Sequence, residues 1–296
     1  MTIVGGTHKL NTGYEIPLIG FGTFQIKGQE AINVSIDAAL GAGYRLIDTA
    51  KVYGNEKEIG NALQEYLPKR NLKRADLFIT SKVLPIIGDN IKATREAVEE
   101  SLKFLQTDYI DLVLVHYPGN FKPEAPKDDN PNNPTYRKDT FQVLEKLQAE
   151  GKIRSIGISN YEIRHIDELK KYAKIQPAVN QCEFHPHFTR NELREYCKKE
   201  NIFFQAFTSL GRNDPSLIND PVVVSLAEKH KTSVYLVLLA YALVQNIGIL
   251  PKSVTPARIQ ENFGVINVTL TKEEVEQLTG LNRNKNHSLV QGWTVT

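Results

Sequence analysis

Residues 110–116 read Ile110-Asp111-Leu112-Val113-Leu114-Val115-His116, an apolar run that ends on an ionisable side chain. Two other runs end in the same way, Tyr44-Arg45-Leu46-Ile47-Asp48 and Leu77-Phe78-Ile79-Thr80-Ser81-Lys82. Strands this apolar are typical of parallel sheets that are covered on both faces. In an α/β barrel, the loops that leave the carboxyl ends of such strands open onto one rim, where barrel enzymes hold their chemistry. We therefore expect an acid, an amine and an imidazole to meet on one rim.

The rest of the chain predicts a barrel around these three runs. From Ile19 onward, short apolar runs alternate with segments of helical period, as in βα units on a parallel sheet. We count eight units, and eight is the number of strands that closes a side-chain-filled barrel. The predicted fold is an (α/β)8 TIM barrel in which residues 1–296 form a single domain. The predicted strands are Ile19–Gly22, Arg45–Asp48, Leu77–Val83, Ile110–Val115, Ser155–Ser159, Ala178–Glu183, Phe203–Phe207 and Gly248–Leu250.

Three of the intervening helices carry signals of their own. Residues 91–105 repeat apolar side chains at steps of three and four, which gives one face to pack on the barrel. Residues 141–147 do the same, and Gly151 can supply the left-handed residue at which that helix ends. Asp220 and Pro221 predict an N-cap and a first helical position for a helix that extends to His230.

Three segments fall outside the alternation. A turn at Asn11-Thr12-Gly13 predicts a β-hairpin over His8–Ile16, before the first barrel strand and closing the bottom of the barrel. Tyr117–Lys138 contains five prolines and is predicted to be a long loop on the carboxyl-end rim, serving as a lid or a specificity wall. The tail after Leu281 is polar until Leu289-Val290-Gln291-Gly292-Trp293.

Composition argues against several classes of partner. The formal net charge is +2, from 36 basic and 34 acidic residues spread along the chain, so neither nucleic acid nor an anionic membrane is expected to bind. Cys182 and Cys197 are too few for a disulfide scaffold or a zinc site, and no metal is expected at Glu183–His187 despite its spaced histidines. With no leader-like start and no membrane-length apolar stretch, the sequence predicts a cytoplasmic protein.

Asp48, Tyr53, Lys82 and His116 form the strongest candidate constellation. Taken singly, each has an ordinary structural role, such as a turn cap, ring packing, a solvated amine or a core histidine. Together, we expect Lys82 to lower the pKa of Tyr53, and Asp48 to keep Lys82 charged. His116 could donate a hydrogen bond to a carbonyl oxygen. The set implies protonation of an oxygen as it becomes an alkoxide.

A second constellation could hold a phosphate group. No Gly-x-Gly-x-x-Gly or Walker motif occurs, so a dinucleotide would need another cradle. Lys252 ends the eighth strand, Thr255 and Pro256 are expected to open a helix as N-cap and first residue, and Arg258 lies in its first turn. A helix N-terminus between two cations suits a phosphate, although a solvated basic helix start is the common alternative.

Six motifs, in order along Gly20–Asn262, resemble the aldo-keto reductase family. This resemblance implies an (α/β)8 barrel that reduces aldehydes and ketones with NADPH, with Tyr53 as the acid supported by Lys82, Asp48 and His116. The motifs are Asp48-Thr49-Ala50-Lys51-Val52-Tyr53-Gly54-Asn55-Glu56, Thr80-Ser81-Lys82, Val115-His116, Gly157-Ile158-Ser159-Asn160, Asn180-Gln181-Cys182-Glu183-Phe184-His185-Pro186 and Pro251-Lys252-Ser253-Val254-Thr255-Pro256.

The resemblance also implies a set of NADPH contacts. The 2′-phosphate would lie at the Lys252 segment, adenine at Glu261 and Asn262, and the nicotinamide carboxamide at three polar strand-end residues that could equally be strand-end caps. The loop 207–211 departs from the family's usual Tyr-Ser-Pro-Leu-Gly, so the pyrophosphate cradle is expected to be looser. The implied contacts are Gly22, Thr23, Asp48, Ser159, Asn160, Gln181, Phe207, Thr208, Ser209, Leu210, Gly211, Lys252, Ser253, Val254, Thr255, Arg258, Glu261 and Asn262.

The substrate mouth is expected to be apolar and aromatic, lined by Phe24, Val52, Tyr117 and Trp293 together with His116. The resulting hypothesis is a monomeric, NADPH-dependent reductase of a small-molecule carbonyl compound. One alternative is a regulatory or accessory protein that binds the cofactor but reduces substrate slowly. Another is a barrel lyase that uses Lys82 as a Schiff base and needs no nucleotide.

Overall fold

Eight parallel strands surround the core in a computed structural model that describes residues 3–120, 130–288, 290 and 292–296. Each strand pairs with the next one along the chain, as βα units dictate. An isolated parallel bridge between Ile19 and Ile249 joins the last strand to the first. The predicted (α/β)8 barrel is therefore confirmed. The barrel strands are β3 (Gly20–Gly22), β4 (Leu46–Asp48), β5 (Phe78–Val83), β6 (Ile110–Val115), β7 (Ile153–Ser159), β8 (Val179–Glu183), β9 (Phe203–Phe207) and β10 (Gly248–Ile249).

Helices follow the strands, and the structure confirms two of the predicted signals for where a helix begins or ends. Asp220 Oδ1 accepts a hydrogen bond from the backbone N–H of Val222 at 3.0 Å, and Gly151 adopts a φ of 77° after the helix that it was expected to end. No helix formed by the described residues is long and apolar enough to cross a membrane. The helices are α1 (Gln29–Ala42), α2 (Glu56–Lys69), α3 (Asn90–Leu105), α4 (Asn133–Ala149), α5 (Ile163–Leu169), α6 (Asn191–Lys199), α7 (Pro215–Ile218), α8 (Pro221–Lys229), α9 (Val234–Leu243), α10 (Pro256–Phe263) and α11 (Lys272–Thr279).

The predicted loop over Tyr117–Lys138 is too long at its carboxyl end. Helix α4 begins at Asn133, and Pro134 lies in its first turn. Proline is tolerated there because a first-turn N–H has no partner within the helix, so this proline starts a helix and does not mark a loop. Residues 121–129, the middle of the predicted loop, lie outside the described residues.

The predicted N-terminal hairpin is confirmed, and it covers the end of the barrel opposite the rim. Strands β1 (Thr7–Lys9) and β2 (Glu15–Pro17) are antiparallel, with His8 opposite Ile16. Thr12 Oγ1 lies 2.7 Å from Ser155 Oγ, near the start of β7. The hairpin therefore covers this end of the barrel. The hairpin side chains Leu10 and Ile16 are buried with barrel residues Leu46, Phe78, Leu112, Leu114, Val179, Phe203 and Leu250.

Candidate active site

The structure brings the four candidate residues together at the carboxyl end of adjacent strands. Asp48 ends β4, Lys82 precedes the last residue of β5, and His116 follows β6 directly. Tyr53 ends a short 3-10 turn, Lys51–Tyr53, that leaves Asp48 and returns toward the barrel axis. Asp48, Lys82 and His116 therefore lie on one rim, as the three apolar runs predicted for parallel strands.

Lys82 is at the centre of the group and is fully buried. Its Nζ lies 2.5 Å from Asp48 Oδ1, 2.9 Å from the carbonyl oxygen of Thr49 and 3.2 Å from Tyr53 Oη. Burial opposes the ammonium charge, but Asp48 and Tyr53 outweigh it and raise the pKa of Lys82 above its ordinary value. Lys82 is therefore a charged donor with all three of its N–H groups directed at oxygen atoms.

The expectation that Lys82 makes Tyr53 more acidic than a free phenol is wrong in its net direction. Burial has the largest effect and raises the pKa of Tyr53; the Lys82 charge lowers it, and the Asp48 charge raises it again. The net pKa lies above the ordinary value because the loss of water outweighs the single cation. Tyr53 therefore keeps its proton at neutral pH, and Lys82 limits how far the pKa rises.

His116 faces Tyr53 edge-on, with ring centroids 5.7 Å apart. Burial, and secondly the Lys82 charge, lower the pKa of His116 well below its ordinary value. The imidazole is therefore neutral and carries a single N–H. Its Nδ1 atom is buried and has no hydrogen-bond partner within the part of the chain that the structure describes.

We expect His116 to stay neutral when the pH falls from about 8 to about 5, although an unperturbed histidine titrates near pH ~6.5. The unfolded chain takes up a proton in this range and the folded chain does not, so this site lowers the free energy of unfolding as the pH falls. An NMR titration of the ring carbons, assigned with a His116→Gln variant, measures the effect. A midpoint near pH ~6.5 would contradict it.

The second carboxylate oxygen of Asp48 has a partner that the sequence did not indicate. Gln181 Nε2 donates to Asp48 Oδ2 at 2.8 Å and to Gln205 Oε1 at 2.8 Å. Both residues lie on strands across the barrel from Asp48, on β8 and β9. Asp48 is thus held from two sides, which fixes the carboxylate that orients Lys82.

Ser159 and Asn160, two other expected nicotinamide contacts, form hydrogen bonds with backbone carbonyl groups of the rim. Ser159 Oγ donates to the carbonyl oxygen of Gln181 at 2.8 Å, and Asn160 Nδ2 donates to the carbonyl oxygen of His116 at 3.0 Å. Asn160 has a φ of 63°, a left-handed conformation that asparagine tolerates. Strand-end capping is therefore present at both residues, and their contact with a nicotinamide stays a prediction.

The expected phosphate seat lies where β10 leads into α10. Lys252 and Arg258 are exposed, and neither has an ion-pair partner among the described residues. Thr255 precedes the helix as predicted, but its side chain makes no capping hydrogen bond; its backbone N–H donates to Ser253 Oγ at 3.1 Å. The opening turn of α10 therefore keeps its own N–H groups available.

Other expected cofactor residues lie at or next to the end of β3 and in or next to α10. A Cβ atom at Gly22 would lie 2.9 Å from the carbonyl oxygen of Leu250, so only glycine fits where β3 meets β10. Thr23 Oγ1 donates to the carbonyl oxygen of Asp48 at 2.8 Å. Val254 and Glu261 are exposed, whereas Asn262 is buried.

The loop after β9 carries the expected pyrophosphate contacts. Phe207 ends the strand, Thr208 has a φ of 55°, and Gly211 N donates to the carbonyl oxygen of Thr208 at 2.8 Å. Ser209 Oγ is buried without a hydrogen-bond partner in the described parts of the chain. An orphaned hydroxyl in this loop fits a bound oxygen-rich group. Leu210 packs against the main core and anchors the loop.

The expected substrate mouth is assembled in part. Phe24 and Val52 are about half exposed, at 47% and 52%, and the Phe24 ring lies 5.0 Å from the Tyr53 ring. Tyr117 is buried directly after His116. Trp293 contacts Phe188 at 5.3 Å and borders a groove of about 660 Å³ beside α4 and α5. Its place in the substrate mouth stays a prediction.

The histidines after β8 form a buried polar cluster. His185 Nε2 lies 2.8 Å from Glu183 Oε1, and His187 Nδ1 lies 3.2 Å from His287 Nε2. No group of three or more histidine, cysteine or acidic side chains among the described residues could hold a metal ion. Glu183 also accepts hydrogen bonds from the backbone N–H groups of His287 and Ser288, so the cluster fixes the C-terminal segment.

Comparisons with known proteins agree with this geometry. A model of the Aldo/keto reductase family matches residues 18–283. The glyoxal reductase of Bacillus subtilis (strain 168) is 39% identical over 284 residues, covering 96% of this chain and 95% of that protein. Aldo-keto reductase family 1 member A1 of Bos taurus is 40% identical over 294 residues, covering 93% and 89%. The aldose reductase structure from Schistosoma japonicum superposes with a TM-score of 0.86 at 36% identity, covering 97% and 96%.

The chain belongs to the aldo/keto reductase family. It is accordingly an oxidoreductase that acts on carbonyl groups.

Proposed function

We propose that the protein reduces an aldehyde or ketone to the alcohol with NADPH, and that Tyr53 supplies the proton. One observation carries this proposal: Lys82 Nζ lies 3.2 Å from Tyr53 Oη while Asp48 and Thr49 hold the same ammonium from behind. This arrangement stabilises the negative charge that Tyr53 acquires when its proton leaves.

The protein residues divide the proton transfer between them. Tyr53 is protonated at neutral pH and incompletely buried at the rim, so its Oη–H can reach a carbonyl oxygen. The neutral His116 imidazole can donate a hydrogen bond to that oxygen and fix its direction. As the oxygen becomes an alkoxide, Tyr53 gives up its proton and Lys82 stabilises the phenolate. Each residue is positioned before the reaction, which lowers the cost of reorganisation.

The rim also fits NADPH. The adenosine 2′-phosphate would lie at Lys252 and Arg258, and the pyrophosphate beside the orphaned Ser209 hydroxyl. Phe207 would stack on the nicotinamide ring, since a phenyl ring stacks as a phenol does. When bound, NADPH supplies the two electrons and the hydrogen that the carbonyl carbon receives. The extra phosphate and two cations that have no ion-pair partner among the described residues favour NADPH over NADH.

The substrate class is proposed to be small aldehydes, dicarbonyl compounds among them. Two relatives are named as a glyoxal reductase and an aldose reductase, both acting on aldehydes by name. Phe24 and Val52 add exposed apolar surface beside Tyr53, which suits the carbon chain of such a molecule. All four rim residues come from one chain, so we propose a monomeric enzyme, and two buried free thiols suit the cytoplasm.

Two alternatives are less consistent with the site. A Schiff-base lyase needs a neutral lysine, whereas the pKa of Lys82 is raised and its three N–H groups are used. A slow accessory protein would not need a fully assembled proton donor. Reduction is the favoured direction if the cell keeps NADP mostly reduced.

The direct test is NADPH oxidation, followed by the loss of its absorbance, with glyoxal, open-chain sugars and aromatic aldehydes as substrates. We expect turnover with several aldehydes and none without a carbonyl compound. Borohydride trapping of a carbonyl compound on Lys82 in nucleotide-free protein would favour the lyase. Binding of NADPH without turnover of any carbonyl compound would favour the accessory role.

A further inference from the structure

Asn55 lies behind the Tyr53 turn, two residues from the phenol, and is 1% exposed. Its Nδ2 donates to the carbonyl oxygens of Thr23 and Ile26 at 2.9 and 3.1 Å. Its Oδ1 accepts a hydrogen bond from Thr49 Oγ1 at 2.9 Å. Both donor hydrogens and the acceptor oxygen therefore bind protein groups, and all three partners lie in loops of the rim. A buried amide that is satisfied in this way holds its partners in one arrangement.

One branch of this network leads to the proton donor. Thr49, whose hydroxyl is bound by Asn55, offers its carbonyl oxygen to Lys82 Nζ at 2.9 Å. An ammonium has three N–H groups in a fixed tetrahedral arrangement. With Asp48 and Thr49 as partners of two of them, the third is directed at Tyr53 Oη, 3.2 Å away. The place of Thr49 therefore controls how well Lys82 reaches Tyr53 Oη.

The other branch leads to the wall of the substrate mouth. Thr23 and Ile26 bracket Phe24, whose half-exposed ring lies 5.0 Å from the Tyr53 ring. Lys27 Nζ also donates to the carbonyl oxygen of Tyr53, so this loop and the Tyr53 turn are tied twice. Asn55 holds the loop and the turn against each other at the side where a carbonyl compound would enter.

We propose that Asn55 is a positioning residue for carbonyl reduction, setting the Lys82–Tyr53 contact through Thr49 and the Phe24 wall through Thr23 and Ile26. The proposal rests on the function proposed above. Asn55 is buried beneath both loops, so it acts on the reaction only through these partners.

The test is steady-state kinetics of Asn55→Ala over a range of pH. We expect kcat to fall about tenfold, comparable to one displaced hydrogen bond to a charged group. The KM for the aldehyde should rise several-fold as the Phe24 wall loosens, and the KM for NADPH should change less. Because the Lys82 contact lowers the pKa of Tyr53, a weaker contact raises it. The basic limb of the kcat profile should therefore move to higher pH.

Asn90 provides a matched control. It is 2% exposed, accepts a hydrogen bond from Ile86 N at 2.9 Å, and donates to the carbonyl oxygen of Tyr136 at 2.7 Å and to Thr140 Oγ1 at 2.9 Å. Asn90→Ala removes a similar buried network that does not involve Thr49 or the Phe24 loop. It should lower the thermal midpoint about as much as Asn55→Ala and leave the basic limb where it is in the wild type.

Thr49→Val tests the branch to Lys82 separately from the branch to the Phe24 wall. It also replaces Asn55→Ala as the test variant if Asn55→Ala does not fold. It removes the hydroxyl from Asn55 Oδ1 but keeps the Thr49 carbonyl and the bonds from Asn55 to Thr23 and Ile26. We expect a lower kcat and a shifted basic limb with the aldehyde KM nearly unchanged. Wild-type kcat and pH profile in a folded Thr49→Val or Asn55→Ala protein would overturn the proposal. Activity retained by Tyr53→Phe would instead overturn the proposed function.

Discussion

Tyr53→Phe is expected to lower kcat for aldehyde reduction by at least ~10²-fold, the usual contribution of a positioned general acid. The change removes one oxygen atom and leaves the ring that contacts Phe24 and His116. Asp48 and Thr49 still bind Lys82, so the buried ammonium keeps two of its three acceptors. The loss should therefore appear in the chemical step, with NADPH binding and folding close to those of the wild type.

Tyr14→Phe is the matched control, because Tyr14 is 42% exposed and lies in the hairpin at the opposite end of the barrel. It removes the same atom without touching the rim and should keep wild-type turnover. Equal rates for Tyr53→Phe and the wild type would remove Tyr53 from its proposed role. NADPH affinity, measured by quenching of protein fluorescence, distinguishes a lost proton donor from a lost cofactor.

Lys252→Met is expected to raise the KM for NADPH by about 10- to 100-fold, because a charge-assisted hydrogen bond to phosphate contributes roughly 1.5–3 kcal/mol. NADH lacks the 2′-phosphate, so its KM should change little. The preference for NADPH over NADH would then nearly disappear. Methionine keeps most of the length of the side chain, so the change removes the charge with little change in packing.

Lys272→Met controls for the loss of a surface charge, because Lys272 is 85% exposed at the start of α11, outside the proposed phosphate seat. It should leave the KM of both nucleotides unchanged. If Lys252→Met weakens NADPH and NADH alike, the 2′-phosphate lies elsewhere. The measurement is initial rate against nucleotide concentration at a fixed aldehyde concentration and fixed ionic strength.

Most of the fold could be predicted because the barrel strands carry a strong and local signal. A run such as Ile110–Val115 has apolar residues on both faces and only one charged residue, Asp111, which separates a buried parallel strand from a half-exposed one. Strand order then follows from the connections, since each βα unit places its strand beside the previous one. The meeting of Asp48, Lys82 and His116 required no knowledge of side-chain packing, only that parallel strands share a carboxyl end.

What could not be predicted depends on contacts between distant residues. The hydrogen bond from Gln181 to Asp48 crosses the barrel and follows no local pattern. The net pKa of Tyr53 depends on how much water the folded rim excludes, which residue types alone do not reveal. The start of α4 was missed because Pro134 is compatible with both a loop and a first helical turn. Asn55 is visible as part of a motif, but its proposed role depends on three partners from two other segments.

Strands β10 and β3 are paired over a shorter stretch than any other two neighbouring strands of the barrel. Their junction consists of one bridge, Ile19 to Ile249, and the hydrogen bonds that Ile249 N and Gly22 N donate across it. Gly22 and Lys252, both proposed to touch NADPH, flank this junction on opposite sides. A nucleotide seated there would tie the two edges together and, by mass action, make the folded barrel harder to open. The thermal midpoint of unfolding would then rise with the NADPH concentration. Depletion of NADPH would therefore stop turnover and also make the folded enzyme less stable.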